Sequence, residues 1–392
     1  MILPPIAERQ PPQEVVVPYS WIAKVLRIPI FRLALGDDRF SRVVMAVYRF
    51  FSGLFQGQPF RNFDPAVAER SLNRFIVLGA EVRFVVPRDG RGRVQMMTFR
   101  ADALRQRIQA LGGSWERRDV QGREVFAIVP PEHPNGEWVE FKEKLGHFRW
   151  READGVIITC DAAEAIPPDE PTRCFVHAHS TSISFISDWR RAGYYLGAQQ
   201  DFCFFDNGNT WENQGRPVSE QSFYLEADTV LERLIDHYPI DRLWVGGSCG
   251  GAPIGGYLKM RHHGERINFY AEQSFSDLRH FVSNPVVAFL TPRVKGSLAS
   301  AEDVEDIPTS QFSVARLWGG LQLQDRGKVI LVEVENDEHI SRDAYQEYLD
   351  LAGRVNANVT HVVFASNAAW RHADDFFRHE EPRRQFWAAV FG

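Results

Sequence analysis

The sequence predicts an α/β protein, a mostly parallel sheet with helices on both faces, preceded by an N-terminal α+β extension. Three observations carry this prediction. From about residue 171 onward, short apolar runs alternate with stretches of helical periodicity, the pattern of successive β-α units. Those runs, such as 173–179 (RCFVHAH), 201–206 (DFCFFD) and 328–334 (KVILVEV), suit strands covered on both faces. The run Leu243-Trp244-Val245 breaks abruptly into Gly246-Gly247-Ser248-Cys249-Gly250-Gly251 and a small-residue segment with an apolar face, which reads as strand, sharp turn and helix.

In chain order, residues 1–18 form a proline-rich, loosely ordered tail, and 19–75 read as helices with aromatic-rich faces. Residues 81–87 and 94–99 read as strands joined by the turn 88–92. A helix over 101–111 stops at Gly112-Gly113. Strand signals continue at 124–130, 138–142 and 155–160. The extension is set at 19–134 and the main domain at 135–392.

Within the main domain, the strand at 173–179 runs into Ser180-Thr181-Ser182, a helix spans 186–196, and the strand 201–206 opens the loop 207–215. The helix 219–238 places Phe223, Ala227, Val230, Leu231, Leu234 and Ile235 on one face, with Ser219 as its cap. Pro253 is compatible with the helix after the turn, because a first turn has no intrahelical N–H bond to lose. A strand at 267–271 follows. Residues 275–320 are irregular, and Phe281, Val286, Val287, Phe289 and Leu290 there suit a lid with an acyl pocket or core packing equally well. The strand 328–334, the helix 341–352, the strand 361–365 and a helix through the FWAAVF tail complete the pattern. No internal repeat is present.

A chain of 392 residues suits one large α/β domain with an extension or two modest domains. A formal charge of −6 gives no general reason to bind nucleic acid, so no nucleic-acid partner is expected. Cys160, Cys174, Cys203 and Cys249 lie in or beside apolar runs rather than at disulfide-framework spacings, which points to a reducing, cytoplasmic compartment. The N-terminus lacks the charged and apolar regions of a secretory signal, and export by a signal-independent route stays open. The apolar run 43–55, interrupted by Arg49, is too short to span a bilayer. Residues 19–60 are basic and aromatic enough to touch a membrane surface or a host protein, although a pair of packed helices is the favoured reading. The sequence does not specify an oligomeric state.

The chemistry centres on the glycine-rich turn. Gly246-x-Ser248-x-Gly250 reads as a nucleophile elbow, whose glycines two before and two after the tip avoid collisions that any Cβ would make. Gly247-x-Cys249-x-Gly251 has the same spacing and leaves Cys249 as the reserve nucleophile. Ser248 is preferred because the strand's apolar residues then end at Val245-Gly246, and the Cys249 N–H becomes an oxyanion donor. A phosphate-binding or tightly packed glycine turn is the duller alternative. A hydroxyl needs an imidazole to take its proton, and the imidazole needs a carboxylate to hold its tautomer. Asp337 and His372, after the next strands, fit those roles, and the loops of a parallel sheet converge on its carboxyl edge. Asp337 competes with Glu335 and Glu338, and His372 with His361 and His379. The second oxyanion N–H would come from His179 or Ser180. His177 and His179 point to opposite faces of a strand and no ligand cluster completes them, so no metal and no cofactor is expected.

VGGSCGG, GKVILVEVENDEHI and FFDNGNTWENQG resemble the elbow, the acid-bearing strand and the loop after the fourth strand of the α/β-hydrolases, over roughly residues 135–392. The long N-terminal extension resembles that of chlamydial-type hydrolase-like proteins of bacteria living in or against host cells, which implies an effector-like role. One departure is that His177-Ala178-His179 stands where many members have His-Gly after the third strand. The resemblance implies a serine hydrolase that cleaves an ester, thioester or amide of a small-molecule or lipid acyl substrate through an acyl-serine. Acyl transfer is open, and the alternative is a catalytically silent binding scaffold acting at a membrane or protein partner.

Overall fold

The computed structural model describes residues 76–87, 94–178, 189–205, 220–262, 265–276, 314–318, 327–337, 340–356, 358–368 and 371–392. In chain order its strands begin with β1 (Ala80–Val85), β2 (Val94–Phe99), β3 (Ser114–Val120), β4 (Arg123–Val129), β5 (Arg151–Ala153) and β6 (Val156–Cys160). They continue with β7 (Cys174–Ala178), β8 (Asp201–Phe205), β9 (Leu243–Ser248), β10 (Asn268–Glu272), β11 (Val329–Val334) and β12 (Val359–Phe364). The helices are α1 (Ala101–Ala110), α2 (Gly136–Leu145), α3 (Ala192–Gly197), α4 (Glu220–Ile235), α5 (Ala252–Arg261), α6 (Val314–Trp318), α7 (Arg342–Val355) and α8 (Glu380–Phe391).

Eight strands form one sheet in the order β1-β2-β8-β7-β9-β10-β11-β12. β2 runs antiparallel to both β1 and β8, and every pair from β8 to β12 is parallel. This is the architecture of an α/β-hydrolase fold, as the alternation of strands and helices predicts. The strands read as continuous apolar runs because both of their faces are covered. Along β9, Leu243 and Val245 join the core shared with α4, α5, α6 and α7, whereas Trp244 joins the core shared with α3 and α8. In the latter core Trp244 stacks on Phe175 of β7 at 5.6 Å between ring centroids, and Phe175 meets Trp387 of α8 edge-on.

β3, β4, β6 and β5 make a second, antiparallel sheet in that order. Both sheets straddle the expected boundary between 134 and 135. β1 and β2 belong to the main sheet, and β4 from before the boundary pairs with β6 from after it. Asp201 at the start of β8 accepts the Ala101 N–H at the head of α1, 2.7 Å away, so the main domain caps a helix of the extension. The proline-rich 130–134 segment interrupts the chain locally, but the hydrogen bonds cross it.

Residues 138–142 also differ from expectation, lying in α2 rather than in a strand. Asn135 accepts the Trp138 N–H at 3.0 Å as an N-cap. Trp138, Phe141 and Leu145 then fall on one buried helical face, a spacing that a five-residue window mimics as a strand. The described part of the 186–196 helix prediction is a three-residue 3-10 turn, Trp189–Arg191, followed by α3. Among the described residues no helix is long and apolar enough to cross a membrane. Residues 1–75, to which the tail and membrane-contact expectations apply, lie outside the described residues.

α5 lies directly on β9. A Cβ on Gly255 would sit 2.5 Å from the Gly246 Cα, and neither backbone can give way without separating helix from strand. Gly255→Ala is expected to lower the unfolding free energy by about 1–3 kcal/mol. Urea denaturation reads this directly, and an unchanged midpoint would show that helix and strand are not tightly apposed.

Candidate active site

β9 extends through Gly247 and Ser248, in register with Ala271 and Glu272 of β10. Ser248 keeps ordinary extended geometry, φ −106 and ψ 145, and its alternation with Trp244 and Gly246 directs its side chain toward the α3 and α8 layer. On that face its register partner Glu272 is buried and ion-paired with Arg191. The left-handed residue is Cys249, with φ +50. A Cβ on Gly247 would lie 2.7 Å from the Gly251 carbonyl carbon, so the two glycines that touch across the turn bracket Cys249.

The left-handed tip of the turn therefore falls on Cys249, one residue after Ser248. The run of four glycines satisfies both registers in sequence, and the end of the apolar residues does not mark the end of the strand, because β9 continues through two more paired residues. A non-glycine residue in the left-handed region costs of order 1–3 kcal/mol and persists only where its surroundings enforce it. The N–H that follows this tip residue belongs to Gly250. Gly250 lies in the 3-10 turn Cys249–Gly251 that leads into α5, where N–H groups have no preceding carbonyl of the helix to bond.

Asp337 follows β11, and His372 sits in the 3-10 turn Arg371–Ala373 after β12. The structure brings them together: His372 Nδ1 is 2.9 Å from Asp337 Oδ2 and 3.1 Å from Oδ1. The carboxylate side chain is fully buried. Its Oδ1 accepts the Ile340 N–H at 3.0 Å, and its Oδ2 accepts the Tyr345 hydroxyl at 3.0 Å. Tyr345 comes from α7, whose N-cap Ser341 accepts the Ala344 N–H at 3.2 Å, so a capped helix supplies the donor that aims the acid. With Nδ1 taken up by Asp337, the Cys249 side chain is the ring's other polar neighbour. Burial of the ring works against its charged form. The Cys249 side chain and the Asp337 carboxylate beside the ring outweigh it and raise His372 to about 10.

The rival residues are elsewhere. His361 pairs with Glu333 at 2.8 Å within the β11–β12 edge of the sheet, and His379 pairs with Asp374 at 2.9 Å. Glu335 is exposed, and Glu338 lies outside the described residues. His177 is buried on β7 with Nδ1 2.9 Å from the Tyr270 hydroxyl, a packing role. The expected oxyanion residues His179 and Ser180 lie outside the described residues, as does the 207–215 loop. Of the expected lid at 275–320, only Phe275, Ser276 and α6 are described. Cys249 also differs from the other three cysteines. Those are buried, which pushes Cys160 and Cys203 up to about 12 and Cys174 well above the ordinary thiol value, whereas Cys249 is partly exposed at the head of a helical segment. The sequence reading missed Tyr345. Its spacing eight residues after Asp337 is a signal only once the helix and its cap are in place.

The raised value belongs to the folded state, so the pair's contribution to stability is complete below the ordinary histidine value of about 6.5 and is lost as pH rises through about 10. Replacing the carboxylate removes one of the causes. Asp337→Asn is expected to lower the His372 titration from about 10 toward about 6.5, followed by the pH dependence of its ring proton resonances. An unmoved titration would mean that Asp337 does not hold the ring.

No family model and no curated protein sequence matches the chain. Among solved structures, it is similar to an esterase of Pyrococcus furiosus at 12% identity, with a TM-score of 0.48 over 84% of this chain and 94% of that one. An acetyl xylan esterase from Paenibacillus sp. R4 is also 12% identical, with a TM-score of 0.41 over 84% of this chain and 95% of that one. A prolyl endopeptidase, again 12% identical, gives a TM-score of 0.44 over 80% of this chain and 38% of its own. The strand order, the antiparallel second strand, and the turn, acid and imidazole after β9, β11 and β12 stand independently of these likenesses: the chain has the α/β-hydrolase fold.

Proposed function

We propose that the chain is an acyl hydrolase with a cysteine nucleophile, in which Cys249, His372 and Asp337 act as nucleophile, base and orienting acid on an ester, thioester or amide. The observation that carries this reading is the proximity of the Cys249 side chain to the His372 ring, whose Nδ1 is held by Asp337. The left-handed backbone of Cys249 and the glycine contact across its turn support it independently.

The steps follow from that pairing. A thiolate is the reactive form of cysteine, and the proton that leaves the sulfur goes to the His372 ring. The Cys249 sulfur adds to the acyl carbonyl, forming a C–S bond and a tetrahedral oxyanion. The Gly250 N–H and an N–H from the loop after β7 would receive that charge. Collapse breaks the bond to the leaving group, which takes the proton from His372, and leaves an acyl-thioester on Cys249. Neutral His372 then accepts a proton from water as the water attacks the thioester, and the sulfur departs with its electron pair. An alcohol, amine or thiol in place of water would make the same site an acyltransferase.

Ser248 is the competing nucleophile, and its extended backbone and inward direction count against it. Intact-mass analysis after treatment with p-nitrophenyl acetate distinguishes the two. The expected result is one acetyl adduct, labile to neutral hydroxylamine as a thioester is, present in wild type and Ser248→Ala and absent from Cys249→Ala. Turnover in Cys249→Ala should fall by about a thousandfold or more. An adduct lost only in Ser248→Ala would replace the thiol with the hydroxyl, and no adduct on folded wild type would favour a binding scaffold.

A further inference from the structure

The segment leaving β10 touches both halves of the candidate site. Gln273 follows Glu272 directly and turns the chain at φ +47, while its N–H donates to the Val332 carbonyl of β11 at 2.9 Å. Its side chain is buried, and its Nε2 donates to the Arg371 carbonyl at 3.4 Å and the Asp374 carbonyl at 2.6 Å, on either side of His372. The next residue, Ser274, is also buried and donates its hydroxyl to the Cys249 carbonyl at 2.7 Å. Phe275 then packs in a cluster with Ile340, Ala344 and Tyr345, against which Cys249 rests.

Neither the turn at Cys249 nor the turn at His372 is long enough to hold itself. Each is a three-residue 3-10 segment, and such turns take their position from what bonds their free carbonyls. A buried amide or hydroxyl in turn needs partners, so Gln273 and Ser274 satisfy their own burial by holding those turns. Both reach from one strand end in the centre of the sheet, where β10 lies between β9 and β11.

We infer that Gln273 and Ser274 are positioning residues which together set the separation between the Cys249 sulfur and the His372 ring. The inference rests on the reading of Cys249 and His372 as nucleophile and base. Gln273 and Ser274 act through the turns they hold and have no reacting atom of their own. Among the described residues, the ionisable groups facing His372 are Cys249 from the turn after β9 and Asp337 from the loop after β11, with Tyr345 of α7 bonded to Asp337. On its own loop stand Arg371, which donates to the Asn336 carbonyl, and Asp374, which is paired with His379 and Ser366.

The test is the rate of Cys249 alkylation by iodoacetamide from about pH 5 to about pH 10, followed by intact mass on the full chain. Wild type, His372→Ala, Gln273→Met and Ser274→Ala are compared, with a melting temperature for each. Wild type should react at a sustained rate on the acid side, and His372→Ala should follow an ordinary thiol near about 8.5. Gln273→Met, which keeps the side chain's length and removes its donor, should lose about tenfold of the acid-side rate and move toward the His372→Ala profile. Ser274→Ala should move in the same direction by less. A purely structural role would lower melting temperature and leave the pH profile in place. Profiles in both variants identical to wild type, with His372→Ala displaced, overturn the inference and leave the nucleophile reading standing. A wild-type profile identical to that of His372→Ala overturns both. Should Gln273→Met fail to fold, the profile of Ser274→Ala decides the inference in the same way.

Discussion

A Cβ on Gly247 would lie 2.7 Å from the carbonyl carbon of Gly251, and the candidate site depends on that close approach. The chain can approach itself so closely there only because Gly247 carries no side chain. The contact of Gly247 with Gly251 reverses the chain between β9 and α5 within the length of a single 3-10 turn, and the residue between them takes a left-handed φ. That residue is Cys249. Its neighbour Ser248 stays in the strand's extended geometry and is directed into the helix layer, although the two are adjacent in sequence and chemically similar.

The sheet converts this local turn into a site. β9, β10 and β11 are parallel and in register, so the chain segments leaving them emerge side by side at one edge. Cys249 leaves β9, Gln273 and Ser274 leave β10, and Asp337 leaves β11. His372, from the loop after β12, is then held from two directions, by the Asp337 carboxylate at its ring and by the Gln273 amide at the flanking Arg371 and Asp374 carbonyls. Rigid strands packed on both faces supply the stiffness that short 3-10 turns lack.

Electrostatics follows from the same placement. A buried imidazole ordinarily resists protonation, but His372 faces a sulfur and a carboxylate, and their combined effect holds its charge to about pH 10. The Asp337 carboxylate is itself satisfied by the Ile340 N–H and the Tyr345 hydroxyl, so it remains an acceptor although its side chain is fully buried. Cys160, Cys174 and Cys203 sit between packed layers, where burial pushes their thiols up.

Much of the main sheet was legible in the chain: the apolar runs, the helical periodicities and the glycine punctuation all report local preferences that the tertiary fold does not oppose. Asp337 and His372 were legible too, because each follows a recognisable strand in the order the chemistry needs. The register of the elbow was not. Four glycines around Ser248 and Cys249 permit either residue at the tip, and the choice is made by how far β9 stays paired with β10, a hydrogen-bonding fact between segments some twenty residues apart. The helix at 136–145 and the strands shared across residue 134 were decided in the same way, by a cap and by pairings that no local window contains. Composition and periodicity thus determined which elements this chain forms and which residue types reach the sheet's carboxyl edge. Only the tertiary structure decided which of two adjacent nucleophiles meets the imidazole, because that depends on backbone contacts between glycines and on the neighbouring strand's register.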